Sequence, residues 1–153
     1  MLLLLFLLVI SCSKKYELKN THNKSTYYKI SQFDKNHMKI ECFLNEKLYF
    51  DYDLIRAGDS FIFSIDDKLK NERGKVFLSK KNNTRLYSYI IDLDGNSLYD
   101  SLITKSFVKE AYMTLIKDVR KEYSSRYRIF YYDKNFKIDS IYESSDMGIE
   151  IYK

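Results

Sequence analysis

Apolar and polar residues alternate with a period of two over most of the chain beyond Thr26. The clearest run is HMKIECFLN at residues 37–45, where every second residue from Met38 to Leu44 is apolar. Successive side chains of a β-strand point to opposite faces, so this period predicts strands with one face on a core. Similar runs occur at 48–52, 61–65, 75–80, 84–92, 126–132, 136–142 and 147–152. Turn residues separate the runs, and together they predict a meander of about eight short antiparallel strands.

The spacing changes between Ser101 and Tyr123, where apolar residues recur in steps of three and four. They are Phe107, Val108, Ala111, Tyr112, Leu115, Ile116, Val119 and Tyr123. This stripe predicts an amphipathic helix, which we expect to cover one face of the sheet; a helix lying on a membrane is the alternative. The predicted fold class is therefore α+β, an antiparallel β-sheet covered by one amphipathic helix. A small β-barrel with a packed helix is the alternative.

The beginning of the chain, MLLLLFLLVISC, departs from both patterns because it is apolar without interruption from Leu2 to Ile10. This run is too short to cross a hydrocarbon layer of about 30 Å as a helix. It has the length of the apolar core of a secretory signal peptide. An ordinary signal peptide cleaved near Ser11 is one interpretation. Since no Lys or Arg precedes Leu2, the true start of the protein can also lie upstream.

The residues Val9-Ile10-Ser11-Cys12 resemble the lipobox of bacterial lipoproteins. The resemblance implies that a signal peptide, residues 1–11, is removed and that Cys12 receives lipid. Residues 13–25 are polar and have no apolar period, so we expect 12–25 to form the lipidated cysteine and a flexible tether. Residues 26–153 have the size of a single globular domain.

Charge and composition narrow the class of partner. The chain carries 26 Lys and Arg against 21 Asp and Glu, a net charge of +5, which in a cytosolic protein would favour nucleic acid. Export removes nucleic acid and leaves anionic lipid head groups, lipopolysaccharide phosphates or an acidic protein. The chain has 15 Tyr, no Trp and no Pro. With its leader and the Ser-Cys-Ser-Lys-Lys junction, it resembles small lipoproteins of Bacteroidota, which implies an outer-membrane lipoprotein facing the periplasm or the surface.

Candidate catalytic residues are few. His22 and His37 lie far apart and have no acidic or cysteine neighbours at ligand spacing, so the sequence predicts neither a metal site nor a Ser/His/Asp system. Cys42 shares a strand face with Ile40 and Leu44, which predicts a buried, inert thiol. We therefore expect no cofactor, no metal and no enzymatic activity.

Two groups of carboxylates have simpler interpretations than catalysis or calcium binding. Asp51 and Asp53 lie two apart on a predicted strand and should share one face, where they would solubilise an exposed strand. Asp92 and Asp94, beside Gly95, lack the ligand spacing of an EF-hand and predict a hairpin turn.

Tyrosine residues are the remaining indication of a binding surface. Tyr87 and Tyr89 share one predicted strand face, and Tyr127 and Tyr131 share another; such residues form partner surfaces, although they also fill sheets. The predicted function is a membrane-anchored, non-enzymatic binding or accessory module for a protein partner, with a toxin-neutralising immunity protein as a special case. The alternative is a small-molecule or lipid carrier with a barrel-like interior.

Overall fold

The computed structural model describes residues 13–64, 76–81, 83–90, 97–106, 111–118, 127–145 and 148–153. Regular structure in these residues is entirely β-strand, arranged as two six-stranded antiparallel sheets. Sheet 1 contains β1 (Lys14–Lys19), β2 (Tyr27–Gln32), β3 (His37–Leu44), β4 (Lys47–Ala57), β5 (Ser60–Phe63) and β6 (Val76–Ser79). Sheet 2 contains β7 (Asn83–Ile90), β8 (Ser97–Ser106), β9 (Ala111–Asp118), β10 (Tyr127–Asp133), β11 (Ile138–Ser145) and β12 (Gly148–Tyr152). Both sheets are meanders, in which neighbouring strands follow one another along the chain.

The two sheets pack face to face through large aromatic and aliphatic side chains. Tyr28 of sheet 1 lies at the centre: its ring centroid is 6.2 Å from that of Phe130 and 5.0 Å from that of Tyr152, both in sheet 2. The buried apolar residues are Leu18, Tyr28, Ile30, Met38, Ile40, Cys42, Leu54, Phe61, Phe77, Leu78, Phe130, Tyr132, Phe136, Ile138, Ile141 and Tyr152. Full burial of one such side chain contributes about 1.5–3 kcal/mol, so this interior is the main source of stability.

Along one side of the sandwich the edge strands of the two sheets join. Lys19 N donates to Lys153 O at 3.0 Å, Lys153 N donates to Lys19 O at 3.1 Å, and Asn20 forms a β-bridge with Tyr152. The end of β1, the first strand of sheet 1, is thereby tied to the end of β12, the last strand of sheet 2. Since an unpaired edge can add foreign strands, these hydrogen bonds protect the adjoining ends of β1 and β12.

The turns divide between two ends of the sandwich. β1 begins at the same end as the turns at 33–36, 58–59 and 134–137, and we call this the β1 end. Arg56 N donates to Asn36 O at 2.7 Å, and Ile138 N donates to the Tyr16 hydroxyl at 2.9 Å, which joins the turns of both sheets. The loop 20–26 and the turn Asn45-Glu46 lie at the opposite end, which we call the far end.

The predicted α+β class is wrong, because the segment expected to form the covering helix is strand wherever it is described. Residues 101–106 belong to β8 and residues 111–118 form β9, which pairs with β8 and β10. Val108 and Val119 lie outside the described residues. In β9, Tyr112 stacks on Tyr132 at 5.8 Å on the inner face, whereas Leu115 pairs with Ile129. A strand with apolar residues on both faces also has apolar residues three and four apart, so the spacing did not distinguish the two structures.

The alternative fold with a packed helix is wrong for the same reason. The expectation of a flexible tether at 13–25 also needs correction, because residues 14–19 form β1. In β1, Tyr16 and Leu18 alternate with charged residues, and Leu18 is only 6% exposed. Two apolar residues were enough to fix this strand on the edge of sheet 1, although they did not stand out as a period. The additional strands explain why twelve are described where about eight were expected.

Candidate functional site

The outer face of sheet 2 is apolar over four adjacent strands. Leu115, Ile129, Tyr142 and Ile151 follow one another in register across β9, β10, β11 and β12. Each is only half-buried, because it faces away from the core. Met113, Tyr127, Tyr131 and Ile149 extend this surface, which we call the outer apolar face; Tyr131 contacts Tyr142 at a centroid distance of 5.4 Å. Polar residues normally occupy this side of a sandwich.

The four tyrosines predicted as a partner surface do not form one patch. Tyr127 and Tyr131 lie on the outer apolar face with Ile129 between them. Tyr87 and Tyr89 lie on β7, and β8 and β9 separate this strand from β10. At a strand spacing of about 4.8 Å, the two pairs are roughly 14 Å apart within the sheet. Tyr127 and Tyr131 therefore belong to the candidate surface, and the other pair does not adjoin them.

The outer face of sheet 1 differs at its centre, where charged side chains lie between the stacked rings of Tyr27 and Phe43 and the paired Ile55 and Ile62. Lys39 Nζ lies 2.9 Å from Asp51 Oδ2, and Lys29 Nζ lies 3.4 Å from Glu41 Oε2, so each of these Lys side chains pairs with a carboxylate of a neighbouring strand. Asp51 and Asp53 share this face, as the sequence predicts. These groups are partly solvated, and each such pair contributes about 0–1 kcal/mol.

One cluster on this face contains the residue types of a hydrolase. His37 Nε2 lies 2.5 Å from Asp53 Oδ1, and the Ser64 hydroxyl donates to Asp53 Oδ2 at 3.1 Å. The acidic partner of His37 comes from the neighbouring strand, which is why the sequence neighbours did not reveal it. In a nucleophilic triad the histidine accepts the serine proton, whereas here the carboxylate lies between the two groups. The arrangement is that of a surface hydrogen bond between His37 and Asp53 with an additional hydroxyl.

A charged cluster lies between the sheets, toward the far end. Arg128 of β10 and Glu143 of β11 are register partners on the inner face of sheet 2, and Arg128 Nε donates to Glu143 Oε1. Arg128 also donates through Nη1 to the Tyr52 hydroxyl at 2.9 Å, and its guanidinium lies 4.4 Å from the centroid of the Phe50 ring. The Tyr28 hydroxyl donates to Glu143 Oε1 at 2.5 Å. Sheet 1 thus supplies the uncharged partners of an ion pair that sheet 2 carries.

The pKa of Glu143 is lowered although the group is largely buried. Burial by itself would raise this pKa, but the charge of Arg128 and hydrogen bonds from Tyr28, Arg128 and Tyr152 outweigh it. The Tyr152 hydroxyl lies 3.0 Å from Glu143 Oε2 and 2.5 Å from Glu150 Oε2. Its single proton can be donated to only one carboxylate at a time. Burial and these carboxylates raise the pKa of Tyr152, so the hydroxyl stays protonated.

A neutral cluster occupies the interior nearer the β1 end. The Tyr132 hydroxyl donates to the backbone O of Ser79 at 2.8 Å and accepts from Ser79 N at 3.0 Å. Thr114 Oγ1 lies 3.1 Å from the same hydroxyl. Burial raises the pKa of Tyr132 to about 12. This hydroxyl acts as a ladder partner for the last residue of β6 and fastens sheet 2 to sheet 1.

The buried thiol is where the sequence predicts it. Cys42 is 4% exposed and is not disulfide-bonded, and burial raises its pKa to about 11. A thiol with a raised pKa is a weak nucleophile at neutral pH. Cys12 and the segment around Asp92 and Asp94 lie outside the described residues, so lipidation remains a prediction.

The inward charges were missed by the sequence reasoning, although a signal exists. Arg128 is an even number of residues from Phe130 and Tyr132 and therefore lies on the same strand face. Glu143 shares a face with Ile141 in the same way, so each charged residue interrupts a row of apolar residues. Within the ranges that the structure describes, no group of three or more His, Cys, Asp or Glu residues is arranged to hold a metal ion. The same ranges contain no helix long and apolar enough to cross a membrane.

No protein-family model, curated protein or solved structure gives a significant match to this chain.

Proposed function

We propose that this protein is a lipid-anchored envelope protein that binds a protein partner through the outer apolar face and carries out no chemistry on it. The observation that carries the proposal is the row Leu115, Ile129, Tyr142 and Ile151 on the solvent side of sheet 2. Contiguous exposed apolar surface on a monomer typically marks a site of association. Tyrosine and methionine beside the row fit a binding surface, because both are enriched in interface cores.

The contrast with sheet 1 supports this choice of surface. At the centre of its outer face, sheet 1 instead carries pairs of Lys and carboxylate side chains, as between Lys39 and Asp51, and its exposed apolar residues, among them Leu48, Tyr49 and Ile55, lie toward the ends of the strands. Composition alone therefore does not force apolar residues onto the surface of sheet 2. A partner would be an exported protein with an apolar patch, since a highly charged surface would lose hydration there without gaining ion pairs.

The interior supports binding of a partner over carriage of a small ligand. Between the described strands, aromatic rings occupy the space where a ligand would lie: Phe77 is 5.1 Å from Phe130, and Phe61 is 5.1 Å from Phe136, all fully buried. A carrier needs an interior wide enough for its cargo.

Photo-crosslinking in cells tests the surface directly. A photoreactive phenylalanine analogue placed at Tyr131 should form a covalent adduct with an envelope protein, whereas the same residue placed at Lys29, on the outer face of sheet 1, should not. The adduct partner is then purified, and its affinity for wild type is compared with that for Ile129→Asp. Loss of the Ile129 side chain from the centre of the interface should weaken binding by tenfold or more, about 1.4 kcal/mol or above.

The control variant is Glu17→Ala, which changes an exposed side chain of β1 and should leave the affinity unchanged. Equal thermal midpoints for wild type and Ile129→Asp exclude unfolding as the cause. The proposal fails if Tyr131 gives no adduct, if both positions crosslink equally, or if Ile129→Asp binds like wild type.

The anchor is tested separately with Cys12→Ala. Wild type should incorporate a palmitate analogue and fractionate with membranes, and the variant should do neither, since lipid chains provide stable anchoring. If wild type takes no label, or the variant still remains in the membrane fraction through some other contact, the lipoprotein assignment is wrong.

A further inference from the structure

The connection between the proposed anchor and the folded domain is very short. β1 begins at Lys14, so Ser13 alone separates it from Cys12. Consecutive Cα atoms are at most about 3.8 Å apart, which places the start of β1 within roughly 7–8 Å of a lipidated Cys12. Because β1 is paired along its whole length with β2, this segment cannot extend without unfolding the edge of sheet 1.

The direction of β1 then determines which end of the sandwich faces the lipid. Lys14 pairs with Gln32, and the chain runs from there into the turn 33–36. The turns 58–59 and 134–137 lie at the same end, whereas the loop 20–26 and the turn 45–46 are separated from it by the full length of the strands. An anchor at Cys12 therefore brings the β1 end to the bilayer surface.

Cationic side chains predominate at this end. Among the described residues, Lys14, Lys35, Arg56, Lys81, Lys134 and Lys137 are exposed there. The nearby carboxylates are partly engaged within the protein. Asp34 Oδ1 accepts from Asn36 N at 2.6 Å and Asp133 Oδ1 from Asn135 N at 2.7 Å. Asp139 Oδ1 lies 3.0 Å from Lys137 Nζ, and Asp59 Oδ2 lies 3.9 Å from Lys81 Nζ, so these four carboxylates accompany the six exposed cations.

A buried ring holds two further groups of the surface in place. Phe136, which is fully buried in the turn 134–137, lies 5.7 Å from the Arg56 guanidinium and 5.1 Å from Lys80 Nζ. The ring centroid of Phe136 is also 5.1 Å from that of Phe61 in sheet 1. Cations from sheet 1 are thus fixed over a ring from sheet 2, and both sheets contribute to one rigid basic surface.

We infer that the β1 end is a membrane-docking surface, whose cationic side chains contact the phosphates of anionic lipids in the bilayer that holds the anchor. The inference rests on the proposed lipidation of Cys12. Juxtamembrane Lys and Arg are attracted to anionic head groups, and the anchor raises their local concentration at the surface. Docking would direct the far end away from the membrane. The outer apolar face would then lie roughly perpendicular to the bilayer, where a partner can reach it.

The experiment uses the lipidated full chain reconstituted in vesicles of phosphatidylglycerol and phosphatidylcholine. A fluorophore is attached to Asn135→Cys at the β1 end or to Glu46→Cys at the far end; Cys42 is buried and does not compete for the label. Quenching by head-group spin-labelled lipid should be several-fold stronger for the label at position 135. In phosphatidylcholine alone, and in about 1 M salt where the screening length falls to about 3 Å, the difference should shrink to what the short connection to the anchor produces by itself.

Matched charge reversals test the surface itself. Lys35→Glu with Lys137→Glu should reduce the preferential quenching at position 135 to its value in phosphatidylcholine alone, whereas Lys24→Glu with Lys47→Glu, the same change in net charge at the far end, should leave it at the wild-type value. Equal quenching of both labels in anionic vesicles, or equal effects of the two reversals, would overturn the inference.

The outcome separates this inference from the proposed function. Full lipidation without preferential quenching contradicts docking alone, and loss of crosslinking at Tyr131 with quenching intact contradicts partner binding alone. Absence of lipid on Cys12 removes the anchor and overturns both the lipoprotein assignment and the docking inference.

Discussion

Sheet 1 and sheet 2 distribute charge in opposite ways. Sheet 1 places its ions outward, as in the pair between Lys39 and Asp51, and presents mainly apolar residues and tyrosines to the interior. Sheet 2 carries Arg128 and Glu143 on its inner face and an apolar row on its outer face. Both are six-stranded meanders of the same chain, so topology does not account for the difference. An inverted pattern is costly for a solvated sheet, and this is the physical reason to regard the outer face of sheet 2 as a binding surface.

The largest expected effect comes from removing one of the inward ions. Arg128→Ala leaves Glu143 without its cation in an environment where both side chains are at most about one quarter exposed. Loss of one partner of a buried pair typically costs about 3–5 kcal/mol. Lys39→Ala breaks the outward ion pairs of sheet 1 and should cost about 0.5 kcal/mol or less. Denaturant melts of residues 13–153 measure both values.

A double-mutant cycle identifies the source of the larger cost. In a Glu143→Gln background, Arg128→Ala should be less destabilising than in wild type, because no carboxylate is left unpaired. Comparable small costs for Arg128→Ala and Lys39→Ala would break the contrast between the two sheets.

The same contrast has a pH dependence. The pKa of Glu143 is lower in the folded protein than its ordinary value of 4.5. The contribution of this carboxylate to stability is therefore fully present above that value and is lost as pH falls through the folded pKa. The difference in unfolding free energy between wild type and Glu143→Gln should be constant near neutral pH and should shrink on acidification. A difference that grows in acid would contradict the assignment.

A smaller effect is expected at the neutral cluster. Tyr132→Phe removes the donor to Ser79 O and the acceptor for Ser79 N, and Ser79 is only 2% exposed. Leaving buried backbone groups without partners costs about 1–3 kcal/mol. Hydrogen exchange should also show faster exchange of the Ser79 amide in the variant. An unchanged exchange rate would mean that another group replaces the tyrosine hydroxyl.

The smallest effect distinguishes the two sides of the sheets. Leu115→Ala truncates a half-buried side chain on the outer apolar face and should cost about 1 kcal/mol, less than a fully buried leucine. Leu54→Ala, on the inner face of sheet 1 and fully buried, should cost about 2–5 kcal/mol. Equal costs would mean that the outer face is covered and would remove the argument for partner binding.

Alternation in the sequence located most strands and the burial of Cys42, because both depend only on local parity. Alternation did not determine which face of a strand packs on the core where both faces carry large side chains. In β12, Ile149 is 59% exposed and Tyr152 is 1% exposed, although isoleucine is the more hydrophobic residue. Tyr152 is buried because Glu143 and Glu150, on two strands, bind its hydroxyl. The hydrogen-bond partners of Tyr152 depend on which strands pair, and this cannot be predicted from the alternation within one strand. The same holds for Asp53, the acidic neighbour of His37, and for the formation of β9 as a strand and not a helix.

The hydrogen bonds between Lys19 and Lys153 also bear on how the chain reaches its final state. Each hairpin of the two meanders forms from neighbouring residues and can close early, since short loops lose little entropy. The contact between the end of β1 and the end of β12 joins residues 130 positions apart, as Asn20 and Glu150 show, and belongs to the slow, non-local class of contacts. During synthesis, the edge of β1 therefore remains without this partner until β12 has been made. The order of synthesis makes closure of the sandwich a late folding step.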